Sequence, residues 1–98
     1  MTEPIIVSML ISIHHPILMS LKEKLKLRLS IINHLKHKFN ISIIESGELD
    51  NIKRTQISLV TLCQDESQIP NIIDKITNSI YLKVDNVKGH VEITTEVI

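Results

Sequence analysis

The chain opens on a two-residue rhythm. Val7, Met9, Ile11 and Ile13 alternate with Ser8, Leu10, Ser12 and His14. Successive side chains of an extended strand point to opposite faces, so this predicts a half-buried strand ending near Pro16. Ser20 stands three residues before Glu23, the spacing at which a hydroxyl caps a helix amide while the carboxylate reaches back to the cap residue's own N–H. A helix starts there. At about 100° per residue, Leu21, Leu25, Leu29, Ile32, Leu35 and Phe39 share one sector and are expected to face a sheet, with Asn40 as terminator. Residues 41–45 and 56–63 read as strands, the second setting Ile57, Leu59, Thr61 and Cys63 against Gln56, Ser58, Val60 and Leu62. Residues 46–55 between them, with Gly47, Asp50 and Asn51, read as a hairpin loop longer than the tightest type. A second helix is expected to be capped by Ser67, with Pro70 in its first turn, where a missing N–H costs nothing, and Ile69, Ile72, Ile73, Ile76 and Ile80 as its buried stripe. After Gly89, Val91, Ile93, Thr95 and Val97 oppose His90, Glu92, Thr94 and Glu96 in a last strand.

The order β-α-β-β-α-β predicts an α+β, ferredoxin-like sandwich: a four-stranded antiparallel sheet with two helices on one face. Residues 1–98 are expected to form one domain, too short for a catalytic domain and a separate partner domain. The second face of the sheet carries Leu10, Ile44, Val60 and Leu62 among Ser and Thr. Apolar patches rarely stay exposed, so a homodimer is expected.

Composition adds three points. The only aromatics are Phe39 and Tyr81, so the core must be built from Ile, Leu and Val. Cys63 is alone and cannot form an internal disulfide, which fits a reducing, cytoplasmic setting. The apolar run of residues 5–13 is broken by Ser8 and Ser12 and is far short of the roughly 20 residues that cross a bilayer, so neither a membrane span nor a signal peptide is read.

Charge points outward at one place. The formal net charge is zero, yet residues 20–39 hold six of the eleven Lys and Arg residues and one of the eleven acids. Lys22, Lys26, Asn33 and His37 line one flank of the predicted helix with Lys36 nearby, a row of roughly 22 Å at 1.5 Å per residue. Such a stripe can contact phosphates with salt-sensitive, sequence-independent affinity, as ribosomal RNA would require; the plainer alternative is a solvated helix face. No predicted strand carries an aromatic on which a base could stack, and Gly47 and Gly89 are the only glycines, so neither a stacking platform nor a GXXG clamp is present.

The residues SLKEK at 20–24, FNISIIE at 39–45, Asp50 and Arg54 in the loop and Asp65 after the third strand resemble the small YlxP-like bacterial proteins of unknown function. The likeness is specific over residues 20–65 and is one of pattern elsewhere. It implies a ferredoxin-like fold in a cytosolic bacterial protein, and, since such proteins are often encoded beside translation initiation and ribosome-binding factors, work on or near the ribosome. The chain departs from that family where Leu25 replaces a base, Ile52 and Lys53 replace a Trp-Gln pair, Ser58 replaces a Gly, and Cys63-Gln64-Asp65 replaces Ser-Asn-Asp. Arg28 falls by helical angle among Leu21, Ile32 and Leu35, so its stem lies along the sheet or its guanidinium pairs with a carboxylate such as Glu45. The family has its base at the Leu25 position and an apolar residue here, which suggests that the two positions have exchanged roles.

Catalytic and cofactor signatures are absent. His34 and His37 lie three apart, and His14 and His15 could approach, but tetrahedral zinc needs three or four converging ligands and no Cys or acidic spacing supplies them. Cys63 on a strand predicts an inert, buried thiol. Acylphosphatase-type chemistry on this fold would want a glycine-rich phosphate loop with an arginine. The expectation is therefore a binding protein without enzymatic activity or cofactor, associated with the ribosome or RNA through Lys22, Lys24, Lys26, Lys36 and Arg54. A protein-interaction or small-ligand module acting through the open sheet face or the 46–55 loop is the alternative.

Overall fold

The structure, a computed structural model, describes residues 3–98. The elements are β1 (Ile5–His14), α1 (Leu21–Lys38), β2 (Ile41–Gly47), β3 (Arg54–Cys63), a short 3-10 turn (Glu66–Gln68), α2 (Ile69–Val84), a second 3-10 turn (Asp85–Val87) and β4 (His90–Val97). The strands form one antiparallel sheet in the order β2-β3-β1-β4. This is the ferredoxin-like arrangement, with both helices packed on one face.

Period two fixes which face they cover. Val7, Met9, Ile11, Ile13, Ile57, Leu59 and Cys63 are buried on the helix side, joined by Ile43 of β2 and Val91 of β4. Leu27, Ile31 and Leu35 of α1 and Ile76, Ile80 and Val84 of α2 complete the core. Aromatics add little, since Phe39 packs at the margin and Tyr81 is exposed. At the end of α2, Lys88 takes the left-handed region at φ 50°, and a Cβ on Gly89 would come within 2.9 Å of the Val84 Cβ. That close approach requires glycine.

Three expectations are corrected. The buried face of α1 is Lys24, Leu27, Ile31 and Leu35, whereas Leu21, Leu25 and Leu29 are 51%, 43% and 43% exposed; the helix is rotated about 90° from the predicted stripe. Apolar residues occupy both sectors. The observed rotation buries the Leu27–Ile31–Leu35 row and leaves Arg28 at its border, where it reaches a carboxylate. Ser67 does not cap α2; the Asp65 carboxylate accepts the Ser67 N–H at 2.9 Å and caps the preceding 3-10 turn. Pro70 still sits in the first turn of α2. At α1, Ser20 Oγ accepts the Glu23 N–H at 3.1 Å as expected, but the Glu23 carboxylate accepts from Met19 N–H and Ser20 Oγ–H rather than from Ser20 N–H.

Candidate binding surfaces

Two surfaces emerge, and the basic helix is the first. Half of its six bases are committed internally. Lys24 is only 3% exposed and donates from Nζ to the Glu48 and Leu49 carbonyls. A buried ammonium needs such acceptors, and they lock the hairpin loop onto the start of α1. Lys24 is thereby removed from the phosphate row. Arg28 pairs with Glu45 at 2.9 Å, their side chains 28% and 10% exposed, so one base is indeed kept beside the sheet. Lys38 donates to Ser79 Oγ at 3.3 Å and lies 5.6 Å from the centre of the Phe39 ring. Lys22, Lys26 and Lys36 are exposed, and among the described residues no hydrogen bond or ion pair engages them. Asn33 and His37 are exposed beside them. Arg54 is exposed too, but the alternation along β3 puts it on the side of the sheet away from α1. It cannot extend the same row.

The exposed leucines Leu21, Leu25 and Leu29 flank this row, where the sequence had placed them against the sheet. The signal was there, since Leu27, Ile31 and Leu35 are spaced four apart and form a rival stripe.

The second surface is the open sheet face. Cross-strand register sets it out in rows: Leu62 beside Ile6; Ser42, Val60, Ser8 and Glu96; Ile44, Ser58, Leu10 and Thr94; Gln56, Ser12 and Glu92; and Arg54, His14 and His90. Ile6, Leu10, Ile44, Val60 and Leu62 are between 37% and 65% exposed. A bulge between Glu45 and Gly47 turns Ser46 onto this face, where its Oγ bonds Ser58 Oγ at 2.7 Å and Gln56 Nε2 at 3.3 Å. A shallow hollow is lined there by Ser8, Ser42, Ser58, Ile44 and Val60.

Beneath the hairpin, His15 is fully buried, with Nε2 2.8 Å from Thr55 Oγ1 and Nδ1 without a partner among the described residues. Burial lowers its pKa from 6.5; a backbone hydrogen bond opposes this, and Lys24, His14 and Lys53 push it further down. Lys53 spans the same corner, Nζ donating to the Pro16 and Leu18 carbonyls at 2.8 and 2.5 Å. Burial also lowers His34, helped by Lys83, Lys38 and His37. Among the described residues no three His, Cys, Asp or Glu side chains converge as metal ligands, and no helix is long and apolar enough to cross a membrane.

The family model described as "Protein of unknown function (DUF503)" matches residues 6–93. The chain belongs to this DUF503 family. No curated protein matches it. Among solved structures, a dinuclear metal-binding M20-family peptidase from Bacillus subtilis aligns with TM-score 0.66 and 10% identity, over 92% of this chain and 25% of that one. A de novo designed protein aligns with TM-score 0.54 and 17% identity over 96% and 97% of the two chains. A dimeric ferredoxin-like protein from an uncultured marine organism aligns with TM-score 0.51 and 10% identity over 98% and 96%. The DUF503 chain thus spans about a quarter of the peptidase. A fold shared by a peptidase and a designed protein carries no activity of its own.

Proposed function

We propose that this DUF503 protein acts by binding, without chemistry, as a ribosome- or RNA-associated accessory factor that contacts phosphates through the outer face of α1. The observation that carries the reading is the row of Lys22, Lys26 and Lys36, exposed and, among the described residues, unengaged, on a helix with one acid. The YlxP-like resemblance, with its implied cytosolic setting near the ribosome, supports the same reading. Lys24 and Arg54 are outside the contact set for the reasons of burial and side given above. Lys and Arg contacts to single-stranded or duplex phosphates give affinity that falls with salt by roughly 0.7–0.9 log units per contact per tenfold rise in salt.

The test is co-sedimentation of the full chain with purified ribosomal subunits at low and moderate salt. Salt-sensitive binding that is lost in Lys22→Glu/Lys26→Glu and kept in Arg54→Glu is the expected result. No binding at low salt overturns the reading.

A second reading rests on the exposed Leu10, Ile44, Val60 and Leu62 of the open sheet face, which suit apolar docking of a protein or small ligand, insensitive to salt. Self-association belongs with it, as one structural neighbour is a dimeric ferredoxin-like protein.

A further inference from the structure

The open sheet face is patterned to cover a copy of itself, and one orientation keeps its apolar rows together. We infer that two chains stack by these faces about a two-fold axis parallel to the strands, running between the sheets along the line between β1 and β3. The inference rests on the self-association reading and adds to it a surface and a register.

Two face-to-face two-folds are available to a sheet. In the parallel one, the second copy's β1 lies over β3 and its β4 over β2, each row facing its own row. The cross-strand register then sets large over small. The second copy's Leu10 comes over Ser58, at the hollow bounded by Ser8, Ser42 and Ser58, and Val60 comes over the second copy's Ser8. Ile44 meets Thr94, and the apolar Leu62 and Ile6 meet each other at one end. Interdigitation of large and small side chains is what close packing of two layers requires. Glu92 and Glu96 face the Ser-bearing strand β2, and at the end of the face away from Leu62 Arg54 meets the second copy's His14.

The perpendicular two-fold, centred on Leu10, reverses the rows. It sets Leu62 over Arg54, Ile6 over His14, and Glu92 of one copy over Glu96 of the other. Like carboxylates would face each other and apolar side chains would face charge, whereas the parallel arrangement keeps the apolar rows together, which favours the parallel one.

The face is large enough. Four strands at about 4.8 Å and eight paired residues at about 3.4 Å give roughly 500 Å² per copy, so roughly 1,000 Å² in all, at the threshold for a specific interface. The α1 row stays outside on both copies, so phosphate contact and pairing do not compete.

Sedimentation equilibrium of the full chain tests the idea in two stages. A species of twice the 11.2 kDa chain mass is expected; a monomer at tens of micromolar overturns self-association and this inference together. Leu10→Lys is expected to be monomeric, while Lys22→Glu/Lys26→Glu stays dimeric; a Leu10→Lys dimer places the interface elsewhere and overturns the sheet-face stack alone. Ser58→Leu sets leucine against leucine and is expected to weaken the dimer about a hundredfold, and the exchange Leu10→Ser/Ser58→Leu to recover to within about tenfold of the parent. Failure of the exchange to recover any affinity overturns the register.

Discussion

His15 shows how one buried side chain writes a pH dependence into the fold. Its ring is fully buried against Thr55, with Nδ1 without a partner among the described residues and the charges of Lys24 and Lys53 nearby. The folded state therefore disfavours its protonation, while in the unfolded chain it titrates near 6.5. Above that pH both states are neutral and its contribution to stability is complete. As pH falls below 6.5 the unfolded chain takes a proton that the folded chain refuses, so stability declines until the pH passes the lowered folded pKa. Urea unfolding is expected to show a lower midpoint at pH 5.5 than at pH 7.5, and His15→Gln, which can still reach Thr55, a smaller difference between the two. An equal difference in that variant would assign the effect elsewhere, to His34 first, whose pKa burial also lowers.

At the scale of the elements, α1 separates what its sequence shows from what only packing decides. Leu27 is 8% exposed and Leu25 is 43% exposed, two leucines two positions apart with opposite fates. Leu27→Ala is expected to cost about 2–4 kcal/mol, through lost burial and a cavity, and Leu25→Ala less than about 1 kcal/mol. Chemical denaturation of the two variants checks this directly, and similar losses would restore the stripe first read from the sequence. The strands were legible because period two has one solution: every inward position of β1 and β3 from Val7 to Ile13 and from Ile57 to Cys63 is buried. The helix had two apolar stripes of similar quality, and the packed rotation is the one that buries Leu27, Ile31 and Leu35 while bringing Arg28 within reach of Glu45, distant in sequence. Long-range partners also decided the basic site. Lys24 looks like its neighbours Lys22 and Lys26 in the sequence, and only the return of the hairpin over the start of α1 gives it carbonyls to bind. The cap of α2 failed for a local reason, since Asp65 offers a charged acceptor two residues ahead of Ser67 and takes both its amide and its hydroxyl proton, turning the side chain back toward Asp65.

For the whole molecule, a net charge of zero conceals a sorting of surfaces. Exposed lysines lie on the outer side of α1, acids Glu92 and Glu96 on the far side of the sheet, and between those acids and the β2 edge lie the apolar residues that neither helix covers. A monomer would hold Leu10, Ile44, Val60 and Leu62 in water, while a stacked pair hides them and leaves both α1 rows accessible. Folding and pairing are then linked, because a partner that binds only the folded chain stabilises it by mass action. For a dimer that dissociates on unfolding, each tenfold rise in concentration contributes about 1.4 kcal/mol per dimer. Set against the unfolding entropy of two domains of this length, it raises Tm by about 3 °C. Thermal unfolding of the parent chain across a hundredfold range of concentration is expected to show that slope, and Leu10→Lys to show none and to melt at the same temperature throughout. A concentration-independent Tm in the parent would mean that the sheet face meets water in the folded protein, and its apolar residues would then be left to a partner other than a second copy.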